Sequence, residues 1–263
     1  MCYNVSVKDE NSDVSNKENS MKITFLGTSH GCAEKNRFTS GTLIETSDFS
    51  YLLDAGAPVE SLMVNMDKSF ENVRGIFITH MHNDHVANLS SVFTRLIKYN
   101  FNDNVTCFFP SQEGIDGFLN WLDVMSVSLD KVKETVKFDV TNEGTIFDNG
   151  DIRVIAKPTL HMGEKKAFSY TFEKDGKKVL FTGDMRGGFP EYTQIIGDEH
   201  YDLVVCEMAH SNLCEKADML KNTNTDRMII THYSPKRMIG YEEILKSFPF
   251  PTTISSDGME IDV

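Results

Sequence analysis

Between Thr79 and Val86 the chain reads His80-Met81-His82-Asn83-Asp84-His85, three imidazoles and one carboxylate within six residues. Imidazole nitrogen and carboxylate oxygen are the atoms that first-row divalent metals take in hydrolytic sites. On an extended strand alternate side chains point to opposite faces, so these four groups could not converge on one ion. On a tight turn they can serve two neighbouring ions. Two ions need about four ligands each, counting a shared water. The chain offers three more candidates: His161 follows the apolar run 152–158, Asp184 follows 178–183, and His232 follows 227–231. Each is a single His or Asp at the carboxyl end of a β-branched run, where open sheets display functional side chains. A His-rich turn can also be a solvated loop, and one strand-end His is commonly just hydrogen-bonded. Three such residues in one topological position, beside the 80–85 cluster, point to a metal pair.

The elements that must hold these groups alternate in type. Strand-like runs are 22–26, 41–45, 50–54, 73–79, 105–109, 135–140, 152–157, 168–173, 177–182, 203–207 and 227–231. Helical candidates are 59–66, 86–99, 113–127, 211–221 and 235–247. The segment 86–99 places Leu89, Val92, Phe93, Leu96 and Ile97 on one face. It thereby anchors the His cluster to a packed helix. Asp175-Gly176 between 168–173 and 177–181 reads as a β-hairpin turn. The alternation gives an α/β class with one folded unit over 21–263, without solenoid repeats.

The spacing His-x-His-x-Asp-His, carried by His80, His82, Asp84 and His85, resembles the metallo-β-lactamase superfamily over about residues 21–263. The resemblance implies a four-layer αββα sandwich and a dinuclear hydrolytic centre. One metal would take His80, His82 and His161, and the other Asp84, His85 and His232. Asp184 would bridge them with a hydroxide between the ions. Zinc is the expected metal, with manganese or iron as alternatives because ligand type does not settle it. Leu26-Gly27-Thr28-Ser29-His30-Gly31 with Lys35 and Arg37, Phe168-Ser169-Tyr170, Gly183-Asp184-Met185-Arg186 and His232-Tyr233-Ser234 are similar to ribonuclease Z. That branch implies phosphodiester hydrolysis, with Asp84 orienting the nucleophile. The leaving oxygen would be met by the second metal or by a proton donor, for which Glu207 and His210 are candidates.

Two departures from ribonuclease Z bear on the substrate. Its Gly/Pro-rich transfer-RNA-binding arm has no room here, since only Met162 to Gly183 separate His161 from Asp184. Its His-Glu-Ala-Thr motif reads Cys206-Glu207-Met208-Ala209, with His210 just beyond; a surface position in the following helix cap is the alternative reading of His210. The formal charge of −13 lacks the basic footprint of a chain that tracks nucleic acid. Lys157, Lys165, Lys166, Lys174, Lys177 and Lys178 either form a local phosphate-binding patch or cover solvated hairpin faces. A small phosphodiester is the expected substrate, RNA is disfavoured, and another ester, a thioester or a lactone is the alternative; a non-catalytic metal-binding scaffold is the remaining reading. The expected assembly is a homodimer. Residues 1–20 are polar, aperiodic and expected to be a disordered tail. No run is apolar enough to span a membrane, and five unpatterned cysteines suit reduced thiols in a cytoplasm.

Overall fold

The computed structural model describes residues 20–56, 58–99 and 104–263. The expected tail therefore lies outside the described residues, except Ser20. Two seven-stranded sheets form the centre. In the first, β1 (Lys22–Gly27), β2 (Gly41–Glu45), β3 (Ser50–Leu53), β4 (Val73–Phe77), β5 (Val105–Phe109) and β6 (Val136–Val140) follow one another across the sheet, and β14 (Glu260–Asp262) adds to the free side of β1. In the second, β7 (Gly144–Asp148), β8 (Arg153–Thr159), β9 (Ala167–Lys174), β10 (Lys177–Phe181), β11 (Leu203–Met208), β12 (Met228–Tyr233) and β13 (Thr252–Ile254) do the same.

Each sheet has one apolar face for the other sheet and one for helices. Phe25, Tyr51, Phe77 and Phe108 of the first sheet pack against Val154, Tyr170, Phe172 and Val205 of the second. Leu43, Leu52 and Ile76 instead face α1 (Val59–Asn65), α3 (Leu89–Tyr99), α4 (Gln112–Val124) and α5 (Leu129–Thr135). On the far side Val204, Cys206 and Ile230 meet α6 (Tyr192–Ile196), α7 (Leu213–Lys221) and α8 (Tyr241–Lys246), giving the expected αββα sandwich. Both faces of the central strands are covered, which is why they read as continuous apolar runs rather than alternating ones.

Several boundaries differ from expectation for local reasons. The helix expected over 86–99 is two: a single turn, α2 (Asn83–Val86), which itself carries Asp84 and His85, and then α3. The 235–247 helix is interrupted at Gly240, whose φ of 74° breaks the run between a 3₁₀ turn (Pro235–Arg237) and α8. Strands β7, β13 and β14 and helices α5 and α6 were not expected; they are short or only half-buried, so their periodicity is weak. The β9–β10 hairpin does turn at Asp175-Gly176, both at positive φ.

The β1–β14 edge carries a charge cluster. Glu260 pairs with Lys22 and Lys68 at 2.6 Å each, and Lys68 also holds Glu45 at 2.7 Å. Hydrogen bonds from Lys22 and Lys68 hold the Glu260 pKa down at about 2, from 4.5. A carboxylate so depressed stabilises the fold above its unfolded pKa and loses that contribution as pH falls through the folded one. In thermal melts, wild type should therefore exceed Glu260→Gln at pH 6, with the gap closing between about 4.5 and 2.

Candidate metal centre

The site lies where both sheets end. The β4–α2 connection brings His80 and His82, and α2 itself Asp84 and His85; the loops after β8 and β10 bring His161 and Asp184; and His232 is the penultimate residue of β12. The seven residues expected as ligands all meet there. His80, His82, His161 and Asp184 each offer an atom within 4.8 Å of the others, and so do Asp84, His85 and His232. Asp184 also joins the second group. Its Oδ2 lies 3.7 Å from His80 Nε2 and 3.6 Å from His161 Nε2. Its Oδ1 lies 3.5 Å from His85 Nε2 and 3.4 Å from His232 Nε2. One carboxylate thus gives one oxygen to each group.

The local backbone is shaped for this. Gly183 has φ 56°, and a Cβ there would lie 2.5 Å from the Phe168 carbonyl oxygen, so only glycine lets Asp184 reach inward. His232 itself sits at φ 43° and Asp54 at φ 60°, left-handed positions that cost about 1–3 kcal/mol each and concentrate at working sites. Asp84 is fixed from outside by the Gly31 N–H, which donates to its Oδ2 at 2.8 Å.

A buried carboxylate that the strand-end reasoning did not single out organises the second group. Asp54, just past β3, accepts from Thr79 N at 2.8 Å and from Thr79 Oγ1 at 3.0 Å. Its other oxygen is 2.7 Å from His85 Nδ1. With the Nδ1 proton committed to Asp54, His85 Nε2 carries the lone pair that faces the cluster. That nitrogen is buried and has no hydrogen-bond partner among the described residues. Asp54 also follows a short apolar run, Tyr51-Leu52-Leu53, but one without the β-branched residues that marked His161, and its position on the first sheet's edge of the site was not legible.

The donor set fits divalent cations. His82 Nδ1 lies 3.0 Å from His80 Nε2 and 3.1 Å from His161 Nε2, so three ring nitrogens crowd one point. Their lone pairs repel unless a proton or cation lies among them. Burial, reinforced by the charge of His85, lowers the His80 pKa, and burial also lowers that of His161. Around Asp184 the balance reverses. Burial opposes charge on His85, but the Asp184 and Asp54 carboxylates outweigh it and raise its pKa. Burial likewise opposes charge on Asp184, yet His232 and His85 hold its pKa well below the usual range. Imidazoles such as His80 and His161, held neutral by burial beside the Asp184 carboxylate, belong to a ligand set for Zn²⁺-type ions.

Glu207 and His210 also join the site. Buried Glu207 accepts from the N–H groups of Met185, Ala209 and His210 at 2.9, 2.7 and 3.1 Å. Its Oε1 lies 2.9 Å from His210 Nδ1. Burial opposes protonation of His210, but Glu207 prevails and raises its pKa. The His210 ring is 4.5 Å from that of His161, and α7 begins only at Leu213, so His210 belongs to the site and not to the helix cap. Cys206, in the place of the motif histidine, is buried in the helix-side core on β11, where its thiol donates to the Glu207 carbonyl oxygen at 3.4 Å. Of the two readings of the lysines, the structure supports no broad phosphate patch: Lys157, Lys174, Lys177 and Lys178 are engaged by Ile195 O and by Asp151, Asp202 and Glu199 respectively. Only Lys165 and Lys166 line a cleft next to the centre.

Residues 21–244 match the family model of the anti-Pycsar protein Apyc1. The chain belongs to the Apyc1 family. It is 25% identical to ribonuclease Z of Bacillus thuringiensis strain Al Hakam, over 86% of this chain and 93% of that protein. Among solved structures, the metallo-β-lactamase fold protein YhfI from Bacillus subtilis matches with TM-score 0.75 at 18% identity, covering 93% of this chain and all of that one. The short form of human tRNase Z matches with TM-score 0.70 at 19% identity, covering 91% and 98%. The Apyc1-family chain therefore has the metallo-β-lactamase fold and is related to hydrolases of the ribonuclease Z-like branch. No helix of its described residues is long and apolar enough to cross a membrane.

If Asp54 sets the His85 tautomer, Asp54→Ala should strand the Thr79 N–H and free His85. Urea unfolding of the metal-free protein should show a loss of about 1–3 kcal/mol. Metal affinity in chelator competition should fall by about 10- to 100-fold.

Proposed function

We propose that this protein is a metal-dependent phosphodiesterase that uses two divalent ions, zinc first among them, on a small phosphodiester. The observation that carries the reading is the division of Asp184, one oxygen toward His80 and His161 and the other toward His85 and His232. His80, His82 and His161 would hold one ion, Asp84, His85 and His232 the other, and Asp184 both. Bound there, such ions would lower the pKa of water towards about 7 and polarise a phosphoryl oxygen.

The chain's own groups supply the rest. Asp84, held by the Gly31 N–H, would orient the attacking water and accept its proton. His210, fixed at Nδ1 by Glu207, would face the leaving oxygen with its other nitrogen and deliver a proton there. Glu207 has its acceptor capacity taken by three N–H groups and the imidazole, so it positions and does not touch substrate.

A small substrate is favoured by the ground beside the site. Between His161 and Asp184 the chain makes only the β9–β10 hairpin and its loops, with no long arm. The adjoining cleft, lined by Met81, Pro110, Phe118 and Met162, has a volume of about 160 Å³. With a net charge of −13, the protein as a whole repels a polyanion.

A panel of bis-p-nitrophenyl phosphate, cyclic nucleotides, a precursor transfer RNA, a glutathione thioester and an acyl lactone tests the reading. The small phosphodiesters should be cleaved fastest by zinc- or manganese-loaded protein. Faster turnover of the thioester or lactone would replace the proposal, and no turnover of any member by fully metallated protein would end it. Asp184→Ala should lose both ions by elemental analysis and turnover with them. His210→Ala should keep both ions yet lose about 10²- to 10⁴-fold in kcat.

A further inference from the structure

Glu191 is a buried acid outside the donor set, 3% exposed, just ahead of α6. Its Oε1 accepts two backbone N–H groups from different loops, Leu160 at 2.9 Å and Arg186 at 2.8 Å. Leu160 immediately precedes His161, and Arg186 lies two residues after Asp184. The same two loops are joined once more by Thr159, whose Oγ1–H donates to the Asp184 carbonyl oxygen at 2.8 Å. Glu191 Oε2 is buried and has no hydrogen-bond partner among the described residues. A buried carboxylate with one idle oxygen is a poor choice for stability alone, since an unpaired buried polar atom is costly. Something other than packing accounts for it.

We infer that Glu191 is a positioning residue for one half of the centre: it cross-links the loops after β8 and β10 and so sets the 3.6 Å approach of His161 Nε2 to Asp184 Oδ2. The inference rests on the reading that His80, His82, His161 and Asp184 hold an ion. Its effect is lopsided. Two of those four residues stand on the loops that Glu191 ties together. The other group is anchored elsewhere, His85 by Asp54 and Asp84 by Gly31, and shares only Asp184 with the tie. The two ions should therefore respond unequally to a change at position 191, which a general loss of packing would not produce.

The test is zinc titration against a chromophoric chelator, with thermal melting of the metal-free proteins in parallel. Glu191→Ala should keep one zinc near wild-type affinity and weaken the other by about 10- to 100-fold. Glu191→Gln, whose Oε1 can accept the same two N–H groups, should restore both. Glu191→Asp keeps the charge but is one methylene too short to reach both loops; it should behave as Ala does and serves if the Ala variant fails to fold. Wild-type affinity for both ions in the Ala or Asp variant would overturn the inference, as would equal weakening of the two ions. A Gln variant as weak as Ala would overturn the cross-link in favour of a role for the charge. A wild type that binds no zinc would instead overturn the metal reading beneath it, so the two failures are distinct.

Discussion

One carboxylate shared between two sets of imidazoles is the constraint on which the site depends. Asp184 reaches His80 and His161 with one oxygen and His85 and His232 with the other, and it does so from a buried position. Burying an anion is costly unless opposite charge or hydrogen bonds surround it. His232 and His85 depress its pKa, and the histidines around it are drawn from three separate places, the segment after β4, the loop after β8 and the end of β12. The sandwich is thus more than a container. Its two sheets must be stacked with their carboxyl ends together before Asp184 has any compensation at all.

Around that centre the protein invests its irregular backbone. Gly183 turns where a side chain would collide with Phe168, and His232 and Asp54 occupy left-handed conformations. Buried acids then freeze the donors: Asp54 holds His85, and Glu207 holds His210. Orienting donors through such partners means that little reorganisation is left for the moment a cation arrives.

Much of this was legible in the sequence because the ligands sit at strand ends, and strand ends are where apolar β-branched runs stop. His161, Asp184 and His232 could be found that way with no knowledge of distance. The alternating apolar runs gave only an α/β class; the αββα sandwich was implied by the resemblance that His80, His82, Asp84 and His85 carry. What escaped had weaker signals. The short turn Asn83–Val86 is too brief for a hydrophobic period, and β13 and β14 have three residues each. Asp54 was visible only as a strand's last residue, and Glu191 has no local pattern; both act through loops distant in sequence. The lysines near residue 175 left two readings open in the sequence. They cluster along the chain, but the hairpin carries most of them to partners such as Asp151 and Asp202.

The pairing of β1 with β14 has a consequence for how the chain acquires its shape. Asp257 accepts from Thr28 N and Oγ1 and from Phe38 N, while the guanidinium of Arg37 stacks 3.7 Å from the ring centre of Tyr233. Residues near 30 are thus closed by residues more than 190 positions later. During synthesis the outer side of β1 waits, its N–H and C=O groups unmatched, until nearly the whole polypeptide has emerged. Contacts of such long sequence separation slow folding and leave an exposed edge in the interval. The Gly31 N–H that steadies Asp84 belongs to this loop, so the Asp84 side of the site rests on contacts that only the far end of the chain completes.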